Sequence, residues 1–126
     1  MVQAPERMDR IDSAKALQAL EIEVHTDGRE PPILKLRGEV DIATIAILEG
    51  SLSTLADGSG DIVVDLADVD FIGLAGLEVL CGRARCMHQR GDRLVISSPP
   101  PIARRVIDIL GVGELLSLHD PLAPVG

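Results

Sequence analysis

Asp65, Asp68 and Asp70 are the residues of this chain best spaced to hold a divalent cation, since three carboxylates within six positions supply hard oxygen ligands. They sit at the end of a predicted strand, whose alternation scatters side chains to opposite faces, so solvated carboxylates are the stronger reading. His25, His88 and His119 fall on different predicted elements, and no two share a metal-ligand spacing. Cys81 and Cys86 lie five apart in one predicted helix and point about 140° away from each other, too far for a bridge. No second cysteine pair or nearby histidine cluster completes a zinc site, so both read as free thiols in a reducing compartment. Cys81 falls on a predicted core stripe and Cys86 off it; small apolar packing outweighs an oxidant-sensing role for the pair. No nucleophile elbow and no phosphate-binding glycine motif occurs. The sequence therefore predicts no metal, no cofactor and no catalytic residue, and a protein that is not an enzyme.

The segment from Asp65 to Leu77 positions the most telling stretch. It reads as a buried strand, a tight loop and a helix start. The loop, Gly73-Leu74-Ala75-Gly76, offers no hydroxyl, thiol, imidazole or carboxylate. It stands where many α/β folds keep reactive groups, so what it does is expected to come from shape and apolar contact.

Composition narrows the function classes. The chain has 126 residues, enough for one domain, and is 46% hydrophobic with Phe71 as its one aromatic residue. Its core must be built from Leu, Ile, Val and Ala, and stacking on bases is nearly excluded. Twenty acidic against twelve basic residues give a net charge of −8, which lacks the basic footprint of nucleic-acid binding and disfavours anionic lipid. The N-terminus, with Glu6, Arg7, Asp9, Arg10 and Asp12, is no signal peptide. No apolar run approaches the ~20 residues of a membrane span. A soluble cytoplasmic protein is expected.

Residues 1–17 read as a flexible tail, with a transient helix from Ser13 to Leu20, and residues 18–126 as the domain. Leu20, Ile22 and Val24 alternate with polar residues as in a half-buried strand. Asp27-Gly28 and Pro31-Pro32 lead to a second strand from Ile33 to Arg37. Asp41 is placed as an N-cap for an amphipathic helix over 42–56, with Ile45, Leu48, Leu52 and Leu55 as its stripe and Ile47 off it. Asp57-Gly58-Ser59-Gly60 ends that helix. Ile62, Val63, Val64 and Leu66 form a continuous apolar run, as in a strand buried on both faces. Leu77, Leu80, Cys81, Ala84 and Met87 mark a second helix, and Leu94, Val95 and Ile96 a further strand. A third helix starts at the prolines 99–101, with Ile102, Val106, Ile109 and Leu110 as its buried stripe and Gly111 as its C-cap. Leu115, Leu116 and Leu118 suggest a short last strand. The β-α-β steps imply parallel pairing with right-handed crossovers. The expected fold is α/β: a single domain with a mixed sheet of four or five strands packed with three or four helices.

This order resembles the STAS domain (sulfate transporter and anti-sigma factor antagonist) over roughly residues 20 to 120. Gly38-Glu39-Val40-Asp41 is similar to that family's Gly-Glu-Leu-Asp segment. Val63-Val64-Asp65-Leu66 followed by Val69-Asp70-Phe71-Ile72 resembles its central strand and phosphorylation loop, and Gly76-Leu77-Glu78-Val79-Leu80 the start of its second helix.

The resemblance implies an anti-sigma factor antagonist that binds an anti-sigma factor, a serine kinase with a nucleotide-binding fold, and so releases a sigma factor. In such proteins the kinase ends binding by phosphorylating a serine in an Asp-Ser-Ser-Gly loop. Here Gly73 matches the Asp, Leu74 the first Ser and Ala75 the phosphorylated Ser, while Gly76 is retained. The expectation is an antagonist without the phosphoserine switch, docking through Asp41, Gly73, Leu74, Ala75, Gly76 and Glu78, as a monomer or weak homodimer. The alternative is a STAS accessory subunit of another assembly, a lipid-transport ABC complex or a stress-signalling scaffold, with Leu74 and Ile47 against a permanent partner.

Overall fold

The computed structural model describes residues 20–26, 31–56 and 60–119. The expected tail, the boundary at residue 18 and the turn signals at 27–28 and 57–59 lie outside the described residues. So does the expected helix from Ser13, apart from Leu20, which opens a strand instead.

Five strands, β1 (Leu20–His25), β2 (Ile33–Val40), β3 (Ile62–Ile72), β4 (Leu94–Ser97) and β5 (Leu118–His119), line up in chain order in one sheet. β1 pairs antiparallel with β2, and every later pair is parallel. The helices α1 (Ile45–Ala56), α2 (Leu74–Gln89) and α3 (Pro101–Leu110) are the three crossovers. Each crossover steps one strand in the same direction, so the right-handed rule puts all three on one face of the sheet. The expected mixed α/β architecture is the one observed.

The core lies between that face and the helices. Leu34, Leu36, Val64, Leu66 and Ile96 point into it from the sheet, and Leu48, Leu52, Leu77, Leu80 and Met87 from α1 and α2. Each such Leu or Ile contributes about 1.5–3 kcal/mol relative to exposure. The other face carries a half-buried row, Ile33–Val63–Val95, and then charges. There Lys35 and Arg37 reach Asp68 at 3.8 and 3.9 Å, exposed pairs of little energetic weight.

Several expectations need correction. β2 runs to Val40 rather than Arg37, because Gly38 at φ 108° takes the backbone through a register shift that lets pairing resume at Glu39. β3 continues to Ile72, and it is half-exposed rather than buried on both faces, since helices cover one side only. α1 begins at Ile45, not 42, because a turn over 41–44 comes first. Ile47 is half-buried and packs on the core rather than standing exposed. On α3 the face toward the sheet is Ala103 and Ile107, while Ile102, Ile109 and Leu110 are exposed; only Val106 of the expected stripe touches the core. Gly111 is the left-handed C-cap expected, at φ 70°. The last strand is confined to Leu118–His119, and Leu116 is buried in the turn before it.

Candidate functional site

The C-terminal ends of β2 and β3 lie side by side, which brings two sequence-distant segments together. Gly73 donates its N–H to the Val40 carbonyl at 2.8 Å and closes the pair. One residue beyond Val40 stands Asp41, and one residue beyond Gly73 α2 begins. The stretch expected to be a loop is therefore a single extended residue, Gly73 at φ −83° and ψ 175°, followed by Leu74, Ala75 and Gly76 in the first helical turn. The Gly73 carbonyl accepts from Leu77 N–H at 3.1 Å, so Gly73 acts as N-cap through its backbone, with no capping side chain.

Gly76 is needed where it stands. A β-carbon there would lie 2.5 Å from Val40 Cγ1 and 3.0 Å from Ile72 Cγ1. Its absence lets α2 settle directly on the ends of β2 and β3. That contact turns Leu74 outward, 56% exposed, and leaves Ala75 and Glu78 on the rim.

Asp41 makes the N-cap bonds expected of it, at the start of the turn that leads into α1: its Oδ1 accepts the Ala43 N–H at 3.0 Å, and its carbonyl accepts from Thr44 and Ile45 at 3.0 and 2.9 Å. Thr44, fully buried, pins the turn: its hydroxyl accepts the Asp41 N–H and donates to the Glu39 carbonyl, both at 3.0 Å. Sequence reasoning missed Thr44, although a hydroxyl three residues after an aspartate is a turn-closing spacing. It also missed Ile42, which the turn lifts 81% into solvent. Ile42, half-exposed Phe71 and Leu74 thus give this end of the sheet an apolar surface beside acidic Glu39, Asp41 and Asp70.

Two shallow grooves flank the start of α2. One, of about 520 Å³, runs between α1 and α2 and is lined by Ile45, Glu49, Leu52, Ala75, Glu78 and Val79 among others. The second, of about 620 Å³, lies between α2 and the end of α3, with Leu74, Leu77, Cys81, Leu110 and Val112 in its wall. Glu78 borders both. All six expected docking residues, Asp41, Gly73, Leu74, Ala75, Gly76 and Glu78, thus gather at one end of the molecule; Gly76 alone is buried, and it shapes this surface rather than lining it.

Candidate chemistry elsewhere does not assemble. Asp65 accepts the Ala67 N–H at 2.9 Å, Asp68 faces Lys35 and Arg37, and Asp70 is exposed. Among the described residues no three His, Cys, Asp or Glu side chains gather as metal ligands. Cys81 and Cys86 are free, one buried and one exposed. Burial pushes the Cys81 thiol up, with Arg85 pulling it down and Glu78 adding to the rise.

A family model described as Mlab, STAS domain, matches residues 24–118. The chain belongs to the STAS family. Its relatives include the anti-sigma-F factor antagonist RsfB of Mycobacterium tuberculosis, 30% identical over 98 residues that span 74% of this chain and 80% of that one. An anti-sigma-B factor antagonist of Staphylococcus aureus is 28% identical over 88 residues, 69% and 82% of the two chains. Among solved structures, an anti-sigma factor antagonist from Mycobacterium paratuberculosis matches with a TM-score of 0.72 at 25% identity, over 82% of this chain and 87% of that one. Homologues of this STAS domain are thus anti-sigma factor antagonists, and among its described residues no helix is long and apolar enough to cross a membrane.

Proposed function

We propose that this STAS domain is a cytoplasmic anti-sigma factor antagonist that works without a phosphoserine switch. It docks on a kinase-type anti-sigma factor through the start of α2 and the Asp41 turn, and docking releases a sigma factor. The observation that carries this reading is the first turn of α2: exposed Leu74 and half-buried Ala75 stand at the C-terminal ends of the central strands with no hydroxyl from Gly73 to Gly76. A phosphorylatable residue there would gain a dianion that a helix N-terminus stabilises but a packed interface repels. Without an acceptor, the surface stays in its binding form. The antagonist names of relatives at 28% and 30% identity support the partner class.

The test is to incubate the protein with kinase-type anti-sigma factors and ATP, then measure intact mass and affinity. Binding that ATP leaves unchanged, with no added phosphate, is expected. Stoichiometric phosphate on this chain removes the constitutive reading, and failure to bind any such partner removes the antagonist role. In that second case exposed Leu74 favours the other reading, an accessory subunit of another assembly with a permanent partner on this surface.

A further inference from the structure

α3 carries more apolar surface than its own fold uses. Six of its ten residues are apolar, yet only Ala103 and Ile107 are buried, with Val106 at their margin. Ile102 and Ile109, seven residues and nearly two turns apart, lie along one line of the helix. They are 69% and 74% exposed, and half-exposed Leu110 extends the stripe. A helix packed on a sheet ordinarily turns polar residues to solvent, and an unpaired apolar stripe marks an interaction surface.

The flanking charges identify the occupant. Arg105 and Asp108 are both exposed, three residues apart on the solvent side of the stripe. When two α3 helices pack antiparallel about a two-fold axis near Val106, Ile102 of each chain meets Ile109 of the other. The same operation sets Arg105 of each chain beside Asp108 of the other. A two-fold contact needs a patch complementary to itself, and this one is, in both its apolar and its charged residues. α3 also holds two arginines against one aspartate in a chain of net charge −8. A second copy therefore meets less acidic repulsion here than the chain's overall charge imposes.

We infer that the chain self-associates through α3, with Ile102 and Ile109 at the centre of a two-fold antiparallel helix pair and Arg105–Asp108 pairs at its rim. The stripe is short, so the dimer belongs to the small, reversible class of interface. This inference does not depend on the anti-sigma reading.

Analytical ultracentrifugation of the full chain over a wide concentration range tests it. A reversible monomer–dimer equilibrium is expected, weakened about tenfold or more by Ile109→Glu. Arg105→Asp is expected to weaken it as well, and the exchange Arg105→Asp with Asp108→Arg to restore it. Circular dichroism melts check that each variant folds, which exposed positions favour. A chain that stays monomeric at the highest concentrations, or a dimer indifferent to both Ile109→Glu and Arg105→Asp, overturns the inference.

Discussion

Gly76 and Val40 are in such close apposition that a β-carbon on the glycine would lie 2.5 Å from Val40 Cγ1. Val is stiff at χ1, and Val40 is fully buried, so its methyl has nowhere to turn. Ile72 closes the other side at 3.0 Å. α2 must therefore shift outward to admit any side chain at position 76.

Gly76→Ala consequently destabilises the fold, although alanine gains about 1 kcal/mol of helix propensity over glycine. Overpacking at such a site costs about 1–3 kcal/mol, so the net effect is a loss of up to about 2 kcal/mol, read as a lower urea midpoint. Val40→Ala removes the clashing methyl. In the double variant the two losses are expected to add to less than their sum. Full additivity would show that the two residues do not meet.

Thr44 is expected to hold the Asp41 turn by its hydroxyl. Thr44→Val keeps the shape but leaves the Glu39 carbonyl and the Asp41 N–H without their partner. Leaving buried polar groups unpaired costs about 1–3 kcal/mol, measurable by urea denaturation. Thr44→Ser retains the hydroxyl and should recover most of that loss. If Val and Ser behave alike at 44, the hydrogen bonds are not what fixes the turn.

Much of this was legible from residue periodicity alone. The α2 stripe of Leu77, Leu80, Cys81, Ala84 and Met87 is buried as its spacing predicts. α3 has two competing sets, Ile102–Val106–Ile109 and Ala103–Ile107, and both fit helical spacing. Which one faces the sheet depends on how the crossover lands, a tertiary fact invisible in the local pattern. The glycines at 73 and 76 misled in a related way. Both read as loop residues, yet Gly73 alone makes the turn, and Gly76 answers to Val40, 36 positions earlier. The proposed docking residues were legible only as a motif, while exposed Ile42 beside them follows from the turn that Thr44 closes.

The two cysteines are expected to part in reactivity. Native alkylation followed by peptide mass mapping should modify exposed Cys86 and spare buried Cys81. Burial raises the folded-state pKa of Cys81, so below the ordinary thiol range both folded and unfolded chains hold the proton and stability is unaffected by it. As pH rises past that range the unfolded chain ionises first, and stability falls until the folded-state pKa is passed. Cys81→Ala should lose this part of the alkaline decline in urea midpoint. An unchanged slope would mean the thiol is solvated in the folded chain.

Ala75→Glu separates fold from docking. Ala75 is the second residue of α2, and its first turn holds no acidic side chain and no side-chain cap. A carboxylate there interacts favourably with the helix N-terminus by about 0.3–1 kcal/mol, so thermal stability should hold or rise slightly. The same charge at a packed interface must be desolvated, as a phosphate would be, so affinity for a kinase-type anti-sigma factor should fall about tenfold or more. Ala75→Ser adds no charge and should bind nearly as the natural chain does. It also offers a hydroxyl at that position, so incubation with ATP and the kinase asks whether the acceptor alone is what the chain lacks. Tight binding by Ala75→Glu would move the docking surface away from the start of α2, whatever the partner proves to be.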